Sequence, residues 1–355
     1  MDFEEADDKS LAPRRRRMAR VEDIARLSGV STATVDRVLN QRPGVRAVTV
    51  QRVLQAAGEL GYLMDGALPP QALRPLRLAF LLPSGTNRYL GMLGRFIASS
   101  QDQLASFNMR ARVAHIESFQ PELLAQQLRQ LARDVDGIAF MAIEHPAVRE
   151  AVDSLAERGI PTVTLISDIA NTRRVAYIGL DNRAAGRTAG YLVARFIGPR
   201  PAKVAMIAGS LSYRAHEERE MGFLYLLQEQ FPAIEIVGLR EGHDNESKNY
   251  RQTKMLLAQH PDLAGVYNIG GGPEGIGRAL KEAGRQNDVA FIGHGLTPET
   301  RGLLIDGTMD AVITQHPQTT LMDCVAIFAN LRAGRSPLHG TIGSRIEVIL
   351  RENLP

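Results

Sequence analysis

The stretch VEDIARLSGVSTATVDRVLN, residues 21–40, decides how the chain begins to fold. Ile24, Ala25 and Leu27 recur at helical spacing. Glu22 and Asp23 fall in the first turn, where the positive end of the helix dipole favours acids. Gly29 then supplies a residue that turns with positive φ. Ser31 follows as an N-cap, its hydroxyl free to accept from amides of the next turn. Val35, Val38 and Leu39 form the inner face of a second helix of about nine residues, and Ala25 is small where the two helices must cross. This spacing predicts a helix-turn-helix, whose second helix lies in the DNA major groove. A third helix is expected in TVQRVLQAAGELGY (49–62), capped by Thr49, with Val50, Val53, Leu54, Ala57 and Leu60 as its buried stripe.

Charge is gathered on the same segment. Residues 13–64 hold ten arginines against four acids, a local charge of +6 in a chain of net +3. Residues 1–12 hold five acids against Lys9 and are expected as a disordered acidic tail. Positive charge on one small module is the footprint of phosphate binding, although by itself it describes a solvated face equally well.

At 355 residues the chain calls for two or three domains. It is 44% apolar and 23% charged, and no apolar run approaches the ~20 residues of a membrane helix. The opening MDFEEADDKSLAP lacks the apolar core of a secretory signal, so a cytoplasmic protein is expected. A single cysteine, Cys324, excludes an intramolecular disulfide framework and any multi-cysteine zinc site. No metal site is expected.

From Leu76 the pattern changes to alternating apolar strands and amphipathic helices. Strands are expected at 76–83, 110–116, 137–143 and 161–167, with helices at 90–107, 121–133 and near 146–158. A second set follows YIGLDNRAAG: strands at 203–209, 234–240, 264–270, 289–295 and 309–315, with helices at 183–196 and near 215–230, 247–259, 274–284 and 298–305. Such alternation means parallel sheets covered by helices, here in two similar lobes.

The first segment resembles the headpiece of the lactose-repressor (LacI) family over all three helices and both turns. The resemblance implies that Thr32, Ala33 and Arg37 read base edges of double-stranded operator DNA. Arg37 can hold a guanine bidentately. Thr34 falls on phosphate, and Ser31, Asn40, Arg46 and Thr49 on backbone-positioning contacts. Asp36 departs from the family's small hydroxyl residue and is read as an exposed helix acid beside an arginine. The linker 65–75 departs too: in LMDGALPPQALRP, Gly66 and Pro69-Pro70 disfavour the groove-opening helix that the family places there. An irregular linker is expected, with Leu68 or Leu73 as the remaining candidates for a wedge.

The second segment resembles the periplasmic-binding-protein type I fold, through GIPTVTLISD (159–168), YIGLDNRAAGRTAG (177–190), EREMGF (218–223), FIGHGLTPET (291–300) and ITQHP (313–317). The expected fold class is therefore an all-α helix-turn-helix headpiece (13–64) followed by a two-lobed α/β domain with parallel sheets (76–355). Lobe 1 is expected at about 76–177 and 295–317, lobe 2 at about 178–294 and 318–355. The resemblance implies a small-molecule effector (a sugar, polyol or sugar acid) in a cleft at the carboxyl ends of the strands. Carried over, its residues are Ser84, Asn87, Tyr89, Glu144, His145, Ser167, Asp168, Ser212, Tyr213, Arg219, Gly271, Gly272, His294 and Gln315. Arg219 is the leading one, unless it is a surface arginine pairing with Glu217 or Glu220. His294 is as readily a crossover residue as a ligand contact, and His216 and His243 are expected at the surface. Gly295 stands where sugar receptors commonly carry an aspartate, which points to compensation by His294 or to a different ligand, larger or acidic.

GGGPEGIG (270–277) invites a nucleotide-loop reading, but it lacks a lysine-serine pair and a following acid on the next strand. No GxSxG elbow or HExxH pair occurs, so neither a cofactor nor catalysis is expected. Three functions compete: a ligand-controlled regulator, a sugar transport receptor and a nicotinamide-type enzyme. The headpiece favours the regulator, working as a homodimer or a tetramer, without a membrane.

Overall fold

In a computed structural model the protein is described for residues 20–39, 44–60 and 74–355. The acidic tail, Asn40 and the linker through Leu73, with Gly66, Leu68, Pro69 and Pro70, lie outside the described residues. The chain separates into two units, one ending at Arg74 and the other running from Pro75 to Pro355.

The first unit holds α1 (Val21–Ser28), α2 (Thr32–Leu39) and α3 (Ala47–Glu59). Asp23 accepts the Arg20 N–H at 2.9 Å, and Gly29 closes α1 at φ 66°. Ser31 caps α2 by accepting from the Thr34 N–H at 3.2 Å. Ile24, Val35 and Val53 are fully buried at the centre, with Ala25, Ala56 and Ala57 where helices approach. Two expectations are corrected. Leu27 is half exposed, because it projects from the side of α1 away from this small core. The cap of α3 is not Thr49: the Arg46 carbonyl accepts from the Thr49 and Val50 N–H groups, so the helix starts earlier.

The second unit contains two sheets. In the first, β1 (Leu76–Ser84), β2 (Met109–Glu117), β3 (Gly137–Phe140), β4 (Thr162–Leu165) and β5 (Ala176–Ile178) run parallel in the order β2-β1-β3-β4-β5. In the second, β6 (Ala202–Ala208), β7 (Ile234–Glu241), β8 (Leu263–Asn268), β9 (Ala290–His294), β10 (Ala311–Thr314) and β11 (Glu347–Ile349) take the order β11-β10-β9-β8-β6-β7. Only β11 is antiparallel. Leu78 to Leu82 are buried without a break, as a parallel strand covered on both faces requires.

Helices α4 (Arg88–Ser99), α5 (Gln101–Ala105), α6 (Pro121–Leu131) and α7 (Pro146–Glu157) belong to the first lobe, and α8 (Asn182–Ile197), α9 (Arg214–Gln230), α10 (Glu246–Gln259), α11 (Pro273–Glu282) and α12 (Pro298–Ile305) to the second. The single helix expected over 90–107 is two, divided at Ser100. The lobe boundaries also change. Residues 295–314 stay in lobe 2, because β10 continues the ladder of β9. Then α13 (Pro317–Arg332) buries Leu321, Cys324, Val325, Ile327 and Phe328 in the core of lobe 1, and β11 returns to lobe 2. The chain therefore crosses near 179–181, near 315–316 and between α13 and β11. The apolar face of α13 decides this arrangement by filling lobe 1.

Candidate functional site

Between the lobes, the carboxyl ends of the strands surround a cleft with a cavity of about 60 Å³. Arg88, Met141, Ile166, His216, Gly270, Pro273, Thr297 and Thr300 line it together with seven of the expected residues: Asn87, Tyr89, Arg219, Gly271, Gly272, His294 and Gln315. Four consecutive residues after β1 reach across. The Thr86 hydroxyl donates to the Asp244 carbonyl, and Asn87 Nδ2 donates to the Asp244 carboxylate at 3.0 Å. Arg88 Nε lies 3.3 Å from Glu299 and 3.9 Å from Glu274, and the Tyr89 hydroxyl donates to the Gln315 carbonyl at 3.2 Å.

Arg219 comes from the second turn of α9 and is 8% exposed. Its Nε donates to Asn182 Oδ1 at 2.8 Å and its Nη1 to the Ile269 carbonyl at 3.0 Å. The surface alternative, pairing with Glu217 or Glu220, is set aside by this burial. Asn182 in turn donates to the Tyr177 hydroxyl at 3.0 Å, which lies 3.0 Å from the Ile166 carbonyl. Ile166 adopts φ 64°, an outlier for a β-branched side chain that costs on the order of 1–3 kcal/mol. That turn aims the carbonyl at the Tyr177 hydroxyl, and a hydrogen-bond chain through Tyr177 and Asn182 runs on to Arg219 in the other lobe.

Two histidines complete the shell, and burial keeps both neutral. Burial, with Arg219 adding to it and Asp244 opposing it, lowers His216 to about 4. Burial, Arg219 and His216 together hold His294 well below its ordinary value. The His294 Nε2 lies 2.7 Å from the Tyr267 hydroxyl. Burial pushes the Tyr89 phenol up to about 12, so it remains a donor. His216, expected at the surface, is instead 4% exposed; the helical wheel of α9 carries few apolar residues and hides its inward face. His243 is exposed as expected.

Seven expected residues do not line the cavity. Ser84 donates to the Ile116 carbonyl at 2.9 Å. Glu144 pairs with Arg149 and accepts the Ala170 N–H; His145 caps α7. Ser167 accepts the Ala215 N–H at 3.3 Å, and Asp168 pairs with Arg174. The Ser212 carbonyl accepts from Glu144, and Tyr213 packs on Phe119 and His216. Each is adjacent in sequence to the cleft but engaged by other partners, some on its own loop and some on distant elements.

The glycine run is likewise engaged. The Gly271 N–H donates to Asp244 at 2.6 Å, Asn249 Nδ2 donates to the Gly271 and Gly272 carbonyls at 2.9 Å, and Gly272 opens α11 at φ 67°. These contacts use the backbone group that a phosphate would need. A larger basin of about 880 Å³ lies at the opposite, amino-terminal edge of the second sheet. Several of its charged side chains are paired with their surroundings, as in Lys203–Asp262 at 3.0 Å and Arg285 donating to the Pro261 carbonyl at 2.6 Å. Ligands of open α/β sheets sit at carboxyl ends, so the cleft is the candidate site.

On the first unit, α2 exposes Thr32, Ala33 and Arg37 while burying Val35 and Val38. Thr34 is half-buried, its hydroxyl 2.9 Å from that of Ser31. Arg46 is exposed and Thr49 half-buried at the start of α3. Among the described residues there is no cluster able to hold a metal and no helix long and apolar enough to cross a membrane.

Residues 20–65 match the lacI family of bacterial regulatory proteins, and residues 79–336 match the periplasmic binding protein domain. The chain belongs, over most of its length, to the periplasmic binding protein domain family, and it carries a lacI-family domain ahead of it. The lacI family is one of bacterial regulatory proteins. The chain is 31% identical over 237 residues to the transcriptional repressor PurR of Vibrio vulnificus, a span of 64% of this chain and 66% of that protein, just under two thirds of its length. It is 26% identical over 247 residues to catabolite control protein A of Priestia megaterium, covering 69% of this chain and 72% of that one. Its fold is also that of GanP, a glucose-galactose binding protein from Geobacillus stearothermophilus, with a TM-score of 0.72 at 24% identity over 80% of this chain and all of that one. The chain thus joins a lacI-type helix-turn-helix unit to a two-lobed periplasmic binding protein domain.

Proposed function

We propose that the chain is a sequence-specific DNA-binding transcriptional repressor whose operator binding is controlled by a small molecule of the sugar, polyol or sugar-acid class. The observation that carries this is the face of α2, which offers Thr32, Ala33 and Arg37 to solvent on a unit with its own core. A base-reading helix needs short side chains that permit close approach and one long donor fork, and these residues supply both. Arg46 at the start of α3, together with Ser31, Thr34 and Thr49, serves the phosphate backbone. Two copies bind the half-sites of a near-palindromic operator, since a two-fold dimer imposes its symmetry on DNA. The effector occupies the cleft and favours one arrangement of the lobes, shifting the population that binds operator. A transport receptor has no use for the helix-turn-helix unit.

Operator titrations test the division of labour. Arg37→Ala is expected to relax preference at one base pair by roughly 1–3 kcal/mol. Arg46→Ala is expected to weaken all sequences alike and to reduce the slope of log affinity against log salt by about 1. Equal loss of sequence preference from both substitutions would show that α2 does not read bases.

A further inference from the structure

We propose that the effector is a hydroxy acid, its carboxylate seated on the guanidinium of Arg219. This rests on the reading of the cleft as the effector site and narrows the effector to an anion. Three observations converge on it. Arg219 is buried, its hydrogen bonds go only to neutral oxygens, and among the described residues no carboxylate forms an ion pair with it. The Nη2 group has no partner, although a guanidinium is built to hold a carboxylate with two parallel N–H donors. A cation desolvated without a counter-ion is unfavourable until an anion supplies one.

The second observation is the composition of the wall. Arg88 and Arg219 line the cavity, and no aspartate or glutamate does. Asp244 contributes to the field at Arg219, but its two oxygens are occupied by Gly271 N–H and Asn87 Nδ2. Glu274 and Glu299 face Arg88 at the rim. A neutral polyol needs acceptors for its many hydroxyl protons, and a carboxylate on the wall is the strongest acceptor available. The position suited to one is Gly295, at φ 77°, where a Cβ would lie 3.1 Å from the Cβ of Tyr89. An acid there would press on Tyr89, so the wall offers no carboxylate of its own and a ligand carboxylate would supply the negative charge.

Thirdly, Gln315 is 6% exposed, lines the cavity, and its Oε1 accepts no hydrogen bond. That orphaned acceptor fits a hydroxyl of the same ligand.

The experiment is a thermal-shift and calorimetric titration of the full chain with matched acid and alcohol pairs: glycerate and glycerol, threonate and threitol, ribonate and ribitol, gluconate and glucitol, galactonate and galactitol. At least one acid is expected to raise the melting temperature and to bind on the order of 100-fold more tightly than its alcohol. Arg219→Gln should erase that preference, whereas Arg219→Lys, which keeps the charge but loses the fork, should weaken binding and retain the preference. Glycerol 3-phosphate and glucose 6-phosphate form the third arm. An alcohol binding within tenfold of its acid, or a response to the phosphates alone, would overturn the hydroxy-acid assignment and leave the regulator reading intact. Silence from every acid would overturn it as well. The operator titrations decide the regulator reading separately.

Discussion

Gly186→Ala is expected to destabilise the two-lobed unit by about 2–3 kcal/mol, a melting drop of roughly 5 °C or more. Helices α8 and α9 lie backbone to backbone. A Cβ at Gly186 would sit 2.0 Å from the Arg219 carbonyl oxygen, and one at Gly222 would sit 2.1 Å from that of Arg183. Helix propensity favours the substitution by about 1 kcal/mol, but a 2.0 Å contact with backbone has no flexible side chain to give way. The helices must part, and the atom displaced belongs to Arg219 itself. The variant should therefore also bind effector poorly while keeping its helix-turn-helix unit folded. Gly302→Ala is the control: nothing lies within 4 Å of its Cβ, so only the propensity gain remains. A Gly186→Ala protein that melts with the wild type would show that the α8–α9 approach is not tight.

Acidification gives the second large effect. His216 titrates at about 4 in the folded protein against an ordinary value of 6.5, because burial opposes its charge. A depressed folded value means that the unfolded chain takes up the proton first. The neutral ring's stabilisation is thus complete above pH 6.5 and is lost as pH falls from there towards 4, about 3 kcal/mol in all. His294 adds in the same direction. Burial and neighbouring acids raise Glu274, and burial raises Asp310, both of which act with the opposite sign, so the comparison must be between variants. Urea unfolding of wild type and His216→Gln at pH 7.0 and 4.5 makes it. The wild type should lose more stability across that interval. Parallel loss in both proteins would place the titration elsewhere.

The contrast among the expected cleft residues has a common cause. Asn87, Tyr89, Arg219, His294 and Gln315 were legible because they follow strand ends or sit in stretches resembling a known fold. Glu144, Asp168 and Ser167 have the same sequence credentials, yet Arg149, Arg174 and the Ala215 N–H claim them. Such pairings join residues up to 48 positions apart, and no local periodicity records them. His216 escaped for the converse reason: a polar residue on a polar helix carries no mark of burial, which here follows from α9 lying against the loops of Ser210 and Asp244.

What the sequence by itself determined was the helix-turn-helix unit, the change to strand–helix alternation at Leu76 and the parallel character of the sheets. These follow from side-chain period, capping residues and buried strand runs, all of which are local. Tertiary structure alone decided which lobe each late element joins, because β10 extends the β9 ladder and α13 fills the other lobe's core. It also decided that Arg219 is buried with no carboxylate in an ion pair with it among the described residues. Charge balance inside a cleft is a sum over residues brought from both lobes, and only the folded arrangement performs it.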